Sequence, residues 1–401
     1  MLKNTYVFIL SNAKYDAPIE STGYTLAKHL SKNNPVFYIE YPATVKEYFR
    51  LKKSPEFKKK KNLFSKNSDG VLNTKNPNLN ILITPLLLSI NFLPEGNLYR
   101  ALLSYNERKI VKRIQTIIKK NKVTDFIFIN SFNIHYPNIG QLLNAKLTVY
   151  HCVDPIIEKF DARHGHTSEE IILKNSDLVI CTSRQLYLEK KEIHPYTYFV
   201  ANAADFKHSE KALLDSTPIH AELANLKKPI IGYFGNIERR LDYIMIHEVM
   251  KMNLDKTFAF VGPIEPEYLR KINKDIPNLC LISRVPYSEM PSMLKGFDVA
   301  IIPFKKDEVS YTIFPLKLFE YLGSGKPVIS TDFNTHLNEF TFGTVPFCKN
   351  AKEFSDAIND ALLNDTPEKK QNRLNAAKEN TWDKRLTEFS NILEEYYLKK
   401  S

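Results

Sequence analysis

The chain has 401 residues, of which 43% are hydrophobic and 25% are charged, and its formal net charge at pH 7 is +11. This composition excludes a disordered or collagen-like chain, and the length predicts two domains rather than one. No apolar run reaches the roughly 18 to 20 residues that a membrane-spanning helix needs, so we do not expect an integral membrane protein.

The first predicted element is a strand in TYVFIL (5–10). It leads directly into polar SNAKYDAPIE without a small-residue cleavage site, so we interpret it as a strand and not as a signal peptide. The four cysteines lack C-x-x-C spacing, and they are Cys152, Cys181, Cys280 and Cys348. Three of the four lie inside apolar runs. Reduced core thiols in a cytoplasmic protein are typical of this pattern.

The densest positive charge lies in KEYFRLKKSPEFKKKKNLFSK (46–66), where nine Lys or Arg residues alternate with aromatic and aliphatic ones. Such a segment suits a loop or short helix on an anionic membrane surface, where each cation contributes about 1 kcal/mol. A solvated basic loop is the alternative. Nucleic-acid binding is not expected, because no recognition helix or aromatic sheet motif accompanies the charge.

Short apolar runs alternate with amphipathic helix patterns, such as that of 99–120, through the first half of the chain. The runs after the first are VFYIE (36–40), LNILI (79–83), DFIFIN (125–130), LTVYHCV (147–153) and DLVICT (177–182). After the polar stretch 205–228 a second series follows: PIIGYFG (229–235), TFAFVG (257–262), LCLIS (279–283), DVAIIP (298–303) and PVIS (327–330). Apolar strands alternating with helices predict α/β domains with doubly wound parallel sheets.

The run RHGH (163–166) raises the question of a metal site. It has no third ligand at helical spacing, so we expect solvated histidines in a polar loop. No Asp-x-Asp occurs in the sequence, and a magnesium-bridged diphosphate is therefore not expected. We predict no metal and no cofactor.

Residues 230–246, IIGYFGNIERRLDYIMI, predict a strand that ends at Gly235 and a helix capped by Asn236, with Leu241, Ile244 and Met245 on its apolar side. A glycine turn into a helix N-terminus offers free amides to a diphosphate, and Arg239 or Arg240 adds a cation. Strand–Gly–helix turns also occur without ligands, so an ordinary turn remains the alternative.

The stretch SYTIFPLKLFEYLGSGKPVIS (310–330) is not a Walker loop, because Glu320 replaces the first glycine and Pro327 follows Lys326. It predicts a helix with Pro315 as its first residue and with Lys317 and Glu320 on one face. There Lys317 suits a phosphate, and Glu320 suits the vicinal hydroxyls of a ribose. A surface ion pair is the alternative.

These residues carry a resemblance. NAADF from Asn202, GYFGNI, RVPYSEMPSMLKGFDVAIIPF and PLKLFEYLGSGKPVIST resemble the donor-binding half of GT-B nucleotide-sugar glycosyltransferases. The similarity is greatest to family 4 and to relatives in teichuronic acid, capsule and exopolysaccharide synthesis; YHCVDP and NSDLVICTSRQLY resemble strand ends of their acceptor domain.

The resemblance implies two Rossmann-like domains that face each other across a cleft. We expect an acceptor domain at 1–204, a linker at 205–228, a donor domain at 229–380 and a helix at 381–401 that crosses back to the first domain. Trp382 lies in that helix.

For the donor site, the resemblance places Glu320 on the nucleotide ribose, and Lys317, Gly235, Asn236 and Arg239 beside the diphosphate. Family 4 enzymes usually carry a second glutamate eight positions earlier, where this chain has Thr312. The stereochemical outcome of the reaction therefore stays open.

An inverting enzyme needs a base for the acceptor hydroxyl, and Asp154, at the end of the strand 147–153, is the candidate. A helix cap before Pro155 is its alternative role. His151 is the fallback base, or a core histidine, because it lies in the strand itself.

We therefore predict a metal-independent glycosyltransferase that moves a sugar from a UDP- or GDP-linked donor to a saccharide or lipid-linked acceptor in bacterial cell-surface polysaccharide synthesis. We expect it in the cytoplasm or at the inner face of the membrane. The alternative is a non-catalytic scaffold protein of the same fold.

Overall fold

The computed structural model describes residues 1–17, 20–157, 159–272 and 276–400. The chain forms two compact units. Unit 1 comprises Met1–Ala201 and Leu386–Ser401, and unit 2 comprises Asn202–Arg385. The segment 205–228, for which the sequence analysis predicts a linker, lies inside unit 2 because its short helices pack there, with Leu223 buried against Gly296.

Unit 1 is built on an eight-stranded sheet. Its strands are β1 (Tyr6–Ser11), β2 (Val36–Ile39), β3 (Val71–Asn73), β4 (Leu79–Leu82), β5 (Phe126–Ser131), β6 (Leu147–Cys152), β7 (Leu178–Cys181) and β8 (Thr197–Phe199). Its helices are α1 (Thr22–Leu30), α2 (Val45–Leu51), α3 (Pro55–Lys60), α4 (Asn97–Lys120), α5 (Ile139–Leu143), α6 (Lys159–Asn175) and α7 (Arg184–Lys191).

The strand order in unit 1 is β3-β4-β2-β1-β5-β6-β7-β8, and all pairs are parallel except β3 with β4. The strands β1, β2, β5, β6 and β7 are almost fully buried, as expected for a parallel sheet covered on both faces. The order reverses between β1 and β5, so the carboxyl ends of these two strands mark the expected ligand edge.

Unit 2 is built on a six-stranded parallel sheet. Its strands are β9 (Ile230–Phe234), β10 (Thr257–Val261), β11 (Leu279–Ile282), β12 (Val299–Ile302), β13 (Val328–Thr331) and β14 (Phe347–Cys348). Its helices are α8 (Phe206–Ser209), α9 (Ala221–Ala224), α10 (Tyr243–Met252), α11 (Met290–Gly296), α12 (Glu308–Tyr311), α13 (Leu316–Gly323), α14 (Asn338–Thr341), α15 (Ala351–Leu363) and α16 (Pro367–Glu379), and α17 (Trp382–Lys399) begins in this unit.

The strand order in unit 2 is β11-β10-β9-β12-β13-β14. It reverses between β9 and β12, which are adjacent and parallel. This is the order of a dinucleotide-binding fold, in which ligands bind at the carboxyl ends of the strands where the order reverses. The expected ligand edge of unit 2 is therefore formed by the residues that follow Phe234 and Ile302.

The basic segment 46–66 is folded against unit 1. It forms α2 and α3, and Phe57 and Phe64 are buried with their ring centroids 5.7 Å apart. Lys60 is buried and forms ion pairs with Glu40 (2.8 Å) and Asp16 (2.9 Å). The other eight cations of the segment are exposed, as is Phe49. The segment is thus neither a free loop nor uniformly solvated.

The RHGH run lies on a helix, so the expectation of a polar loop was wrong. His166 is exposed as expected, but His164 is not. His164, in α6, is buried and stacks on Tyr99 with the ring centroids 3.6 Å apart. Its Nδ1 bonds to Glu95 at 2.8 Å. Gly165 allows α6 to pack closely against Ile134, because a Cβ there would lie 2.7 Å from Ile134 Cδ1. His164 therefore has a structural role.

Candidate active site

Three segments of unit 2 meet around the ammonium group of Lys317. Its Nζ donates a hydrogen bond to Tyr233 Oη at 2.7 Å. The same nitrogen lies 4.1 Å from the centroid of the Tyr233 ring and 5.1 Å from that of Phe304. Tyr233 belongs to β9 and Phe304 follows β12, so Lys317 lies at the carboxyl ends of the strands where the order reverses.

Gly235 makes room for this lysine. A Cβ at Gly235 would lie 2.3 Å from Lys317 Nζ, and the φ angle of Gly235, 154°, is one that other residues rarely adopt. Gly262 closes the other side, since a Cβ there would lie 2.2 Å from the carbonyl oxygen of Gly235. The glycine turn therefore brings bare backbone close to the Lys317 ammonium group.

The helix after this turn begins later than predicted. It starts at Tyr243, and Asp242 rather than Asn236 caps it by accepting a bond from Met245 N at 3.0 Å. Ile244, predicted on the apolar side, is 75% exposed. Residues 235–242 instead form a loop, because Ile237 is buried and its amide bonds to Pro263 O at 2.9 Å. The amides of α10 are thus separated from the Gly235–Asn236 turn.

Helix α13 carries the Lys317 and Glu320 pair, and it is tied to β9 by Tyr321. The Tyr321 hydroxyl accepts a bond from Phe234 N at 2.7 Å and donates one to Phe234 O at 3.0 Å. The helix begins at Leu316, one residue after the predicted start, and Pro315 is its N-cap residue. The anchoring role of Tyr321 had no signal in the residue spacing, because it depends on which strand the helix contacts.

Glu320 lies three positions after Lys317 on the same helix and is half-buried. Its Oε1 accepts a hydrogen bond from Tyr287 Oη at 2.8 Å. Burial raises the pKa of the Glu320 carboxyl, although the bond from Tyr287 opposes this shift. The ring of Tyr287 stacks on His208, with centroids 4.6 Å apart. A carboxylate can accept further hydrogen bonds besides the one from Tyr287, so Glu320 is suited to bind the two hydroxyl groups of a diol.

The electrostatics around Lys317 favour an anion. Burial, and after it the Arg240 guanidinium, lower the pKa of Lys317 to about 7. An anion placed beside the ammonium group would favour its charged form and raise this pKa. Arg240 lies over Phe304, 5.6 Å from the ring centroid, and pairs with Glu238. Arg239 is half-buried on the same loop.

Thr312 lies at the end of α12 and is buried. Its Oγ1 donates to Val309 O at 2.6 Å, within its own turn. The residue eight positions before Glu320 is therefore a small hydroxyl side chain bonded to local backbone.

In unit 1, Asp154 follows β6 by two residues and is exposed. Residues 153–157 are not helical and α6 begins only at Lys159, so the structure does not support a helix cap by Asp154 before Pro155. Asp154 belongs to the same sheet edge as Ser11 and Ser131, which end the adjacent strands β1 and β5.

His151 is a core residue. Its Nδ1 bonds to Ser131 Oγ at 3.1 Å, and its ring meets Phe389 edge-on with centroids 5.2 Å apart. Burial lowers the pKa of His151 to about 3, so the imidazole is neutral at physiological pH. The side chain is only 3% exposed, which leaves an acceptor hydroxyl little access to it.

Within the described ranges, no three His, Cys, Asp or Glu side chains are grouped closely enough to hold a metal ion. In the same part of the chain, no helix is both long and apolar enough to cross a membrane.

Residues 228–364 match the family model described as glycosyl transferases group 1. The chain is 26% identical over 228 residues to the Bacillus subtilis (strain 168) protein named "Putative teichuronic acid biosynthesis glycosyltransferase TuaH". That alignment covers 49% of this chain and 53% of the relative, so the chain matches about half of the relative's length.

Two solved structures show the same fold over nearly the whole chain. The sucrose-phosphate synthase of Thermosynechococcus elongatus superposes with a TM-score of 0.66 at 15% identity, covering 99% of this chain and 100% of that one. An Escherichia coli trehalose-6-phosphate structure with bound UDP-2-fluoro glucose superposes with a TM-score of 0.70 at 11% identity, covering 98% of this chain and 99% of that one. The predicted α/β fold of the GT-B class, with two parallel-sheet domains, is confirmed.

Proposed function

We propose that this chain, which has the GT-B fold and a group 1 glycosyltransferase segment in unit 2, transfers a sugar from a nucleotide-diphosphate sugar to an acceptor held by unit 1. The observation that carries this proposal is the position of Lys317. Its ammonium group lies against Gly235 at the point of unit 2 where the strand order reverses, with Glu320 one helical turn away.

The donor is held by its nucleotide part. Lys317 neutralises the diphosphate, with Gly235, Asn236 and Arg239 or Arg240 beside it, and Glu320 accepts hydrogen bonds from the ribose hydroxyls. The Tyr287 hydroxyl that now bonds to Glu320 is displaced or shared when the ribose binds. A uridine nucleotide is the first choice, because the Escherichia coli structure similar to this chain binds UDP-2-fluoro glucose; a guanosine nucleotide is the second.

The reaction forms a bond between the acceptor oxygen and the anomeric carbon and breaks the bond from that carbon to the diphosphate. The nucleoside diphosphate leaves with the electron pair, and Lys317 stabilises its charge. In an inverting reaction the acceptor proton passes to the Asp154 carboxylate. Because His151 is buried, we assign the base to Asp154. Thr312 takes the position where a second glutamate would contact the donor sugar.

Nothing in this arrangement requires a metal, because the cations and the glycine turn supply the positive charge that the leaving diphosphate needs. We therefore propose a metal-independent reaction. A test is turnover of UDP-glucose or GDP-mannose with a bacterial membrane lipid extract in the presence of EDTA, measured as released nucleoside diphosphate. Release that depends on the extract supports the proposal, and no release with any donor favours the scaffold alternative.

The acceptor belongs to cell-surface polysaccharide synthesis, as the similarity to the teichuronic acid protein suggests. A lipid-linked acceptor would be met at an anionic membrane surface. The segment 46–66 offers eight exposed cations and the exposed ring of Phe49 for such a surface. Each cation near the headgroups contributes about 1 kcal/mol.

We expect liposome flotation to show this contact. Replacing four exposed cations by glutamine should lower the bound fraction on phosphatidylglycerol vesicles by more than tenfold, and these are Lys52, Lys53, Lys58 and Lys59. The matched control replaces four exposed lysines of unit 2, namely Lys349, Lys352, Lys369 and Lys378. Equal partitioning of the two variants would end the proposal of a membrane contact through 46–66.

A further inference from the structure

A cluster of four side chains lies at the carboxyl edge of the unit 1 sheet. Tyr41 follows β2, His135 follows β5, and Phe160 and Asp161 lie in the first turn of α6, which follows β6. Because β2, β5 and β6 are members of one parallel arrangement, their carboxyl ends lie along the same edge. This is also the edge that carries Asp154.

His135 is held by three neighbours. Its Nε2 and Asp161 Oδ1 are 3.1 Å apart. The Tyr41 ring meets the imidazole edge-on at 5.6 Å, and the Phe160 ring lies tilted against it at 5.7 Å. One carboxylate and two aromatic rings therefore border the imidazole. The orientation of His135 is therefore fixed in advance of any ligand.

The loop that carries His135 is also built rigidly. Phe132 has φ 54°, a left-handed conformation that residues other than glycine rarely adopt. Asn133 N donates to Asn130 Oδ1 at 2.7 Å, and Asn130 Nδ2 donates to Asn133 O at 3.0 Å. Asn133 Nδ2 reaches Ser11 O at 2.8 Å. The end of β1 thus supports the turn that presents His135.

Phe160 presents the open side of the cluster. Phe160 is 59% exposed. Its backbone is held in place, because its carbonyl oxygen accepts a hydrogen bond from Asn91 Nδ2 at 3.1 Å. Asp161 and His135 lie next to it and are partly exposed, at 36% and 16% of their side chains. An exposed aromatic face beside a carboxylate and an imidazole suits a sugar ring, which has apolar C–H faces and hydroxyl edges. A lipid chain would contact only the Phe160 ring and would leave the two polar side chains without a partner from the ligand.

We propose that Phe160, Asp161 and His135 form a saccharide-binding subsite of unit 1, in which the Phe160 ring covers one face of the acceptor sugar. Asp161 and His135 then hydrogen-bond to its hydroxyl groups, and Tyr41 supports the imidazole from behind. The assignment of this sugar as the acceptor rests on the proposed glycosyltransferase function. The binding of a saccharide at these residues does not depend on that function.

The test is saturation-transfer NMR with four methyl glycosides as probes, those of glucose, galactose, N-acetylglucosamine and glucuronic acid. We expect transfer to the ring protons of at least one glycoside. It should fall at least fivefold in Phe160→Ala and in Asp161→Asn, and should persist in Tyr196→Ala, which removes a similarly exposed ring from the same unit. Both target side chains are partly exposed, so thermal unfolding should be unchanged.

Absence of transfer with all four glycosides, or equal transfer in wild type and Phe160→Ala, would overturn the subsite. The proposed function is judged separately, because thermal stabilisation by uridine or guanosine diphosphate reports on unit 2. Saturation transfer to a glycoside without stabilisation by a nucleotide would support the subsite and reject the donor site. Stabilisation by a nucleotide without saturation transfer to a glycoside would support the donor site and reject the subsite.

Discussion

Asp154→Asn should lower the rate of sugar transfer about 100- to 10,000-fold and leave nucleotide binding unchanged. Asparagine keeps the size of the side chain, but it cannot accept the proton of the acceptor hydroxyl. Asp154 is exposed and follows β6 in a non-helical segment, so the substitution should not disturb the sheet. Initial rates of nucleoside diphosphate release at saturating donor, together with nucleotide-induced thermal shifts, measure both quantities.

The matched control for this variant is Asp125→Asn. Asp125 is also exposed in unit 1, but it precedes β5 and therefore belongs to the opposite edge of the sheet. We expect its activity to stay within about twofold of wild type, since surface changes away from a site have small effects. Full turnover by Asp154→Asn would remove Asp154 from the role of base and would favour a mechanism without one.

Lys60→Ala should lower the free energy of unfolding of unit 1 by about 3–5 kcal/mol, the usual cost of removing one partner from a buried ion pair. Lys60 Nζ donates to Glu40 Oε2 at 2.8 Å and to Asp16 Oδ1 at 3.0 Å, and Glu40 is buried. Without the ammonium group of Lys60, the Glu40 carboxylate loses this counter-charge while it stays buried and poorly solvated. Urea denaturation followed by circular dichroism measures the loss.

The effect of Lys60→Ala should depend on pH. Burial already raises the pKa of Glu40, and Lys60 opposes that shift, so the substitution should raise this pKa further. A carboxyl whose pKa is raised in the folded state contributes stability at low pH that is lost as the pH rises. The loss should therefore be smaller at pH 4.5 than at pH 8.

Two variants control the Lys60 experiment. Lys59→Ala removes an exposed neighbour and should change stability by less than about 0.5 kcal/mol. The double variant Lys60→Met with Glu40→Gln replaces the two buried charges and should recover most of the loss, because the remaining partner, Asp16, is only partly buried. A loss below about 1 kcal/mol in Lys60→Ala would show that the pair does not anchor the segment 46–66.

The strands of both sheets were predictable because a covered parallel strand is apolar along its whole length. DFIFIN and DVAIIP are found as β5 and β12 within one or two residues of their predicted bounds. The short strands β3, β8 and β14 were not predicted, since two or three residues such as Thr197–Phe199 carry no periodic signal. The position of Lys317 and Glu320 three residues apart on one helix was predictable from helical spacing.

Features that depend on tertiary contacts were not predictable. A lysine in a run of four gives no sign that Lys60 alone turns inward, because its partners Glu40 and Asp16 lie 20 and 44 positions away. The pairing of His135 with Asp161 likewise joins the loop after β5 to the first turn of α6. Residues such as Asn236 were misassigned as caps because the loop 235–242 is held by a backbone bond to Pro263, which no local pattern reveals.

We propose that unit 2 binds a nucleoside diphosphate through Glu320 and Lys317. The most direct test is a thermal-shift screen of uridine, guanosine, thymidine and adenosine diphosphates on wild type, on Glu320→Ala and on the exposed control Glu368→Ala. A nucleotide at 100 times its Kd stabilises the folded state by about 2.7 kcal/mol, which corresponds to about 5–10 °C for a unit of this size.

We predict such a shift with one of the four nucleotides in wild type and in Glu368→Ala, and its loss in Glu320→Ala. No shift with any nucleotide in the wild-type protein would contradict the donor site. An equal shift in wild type and Glu320→Ala would show that a nucleotide binds elsewhere than on this carboxylate.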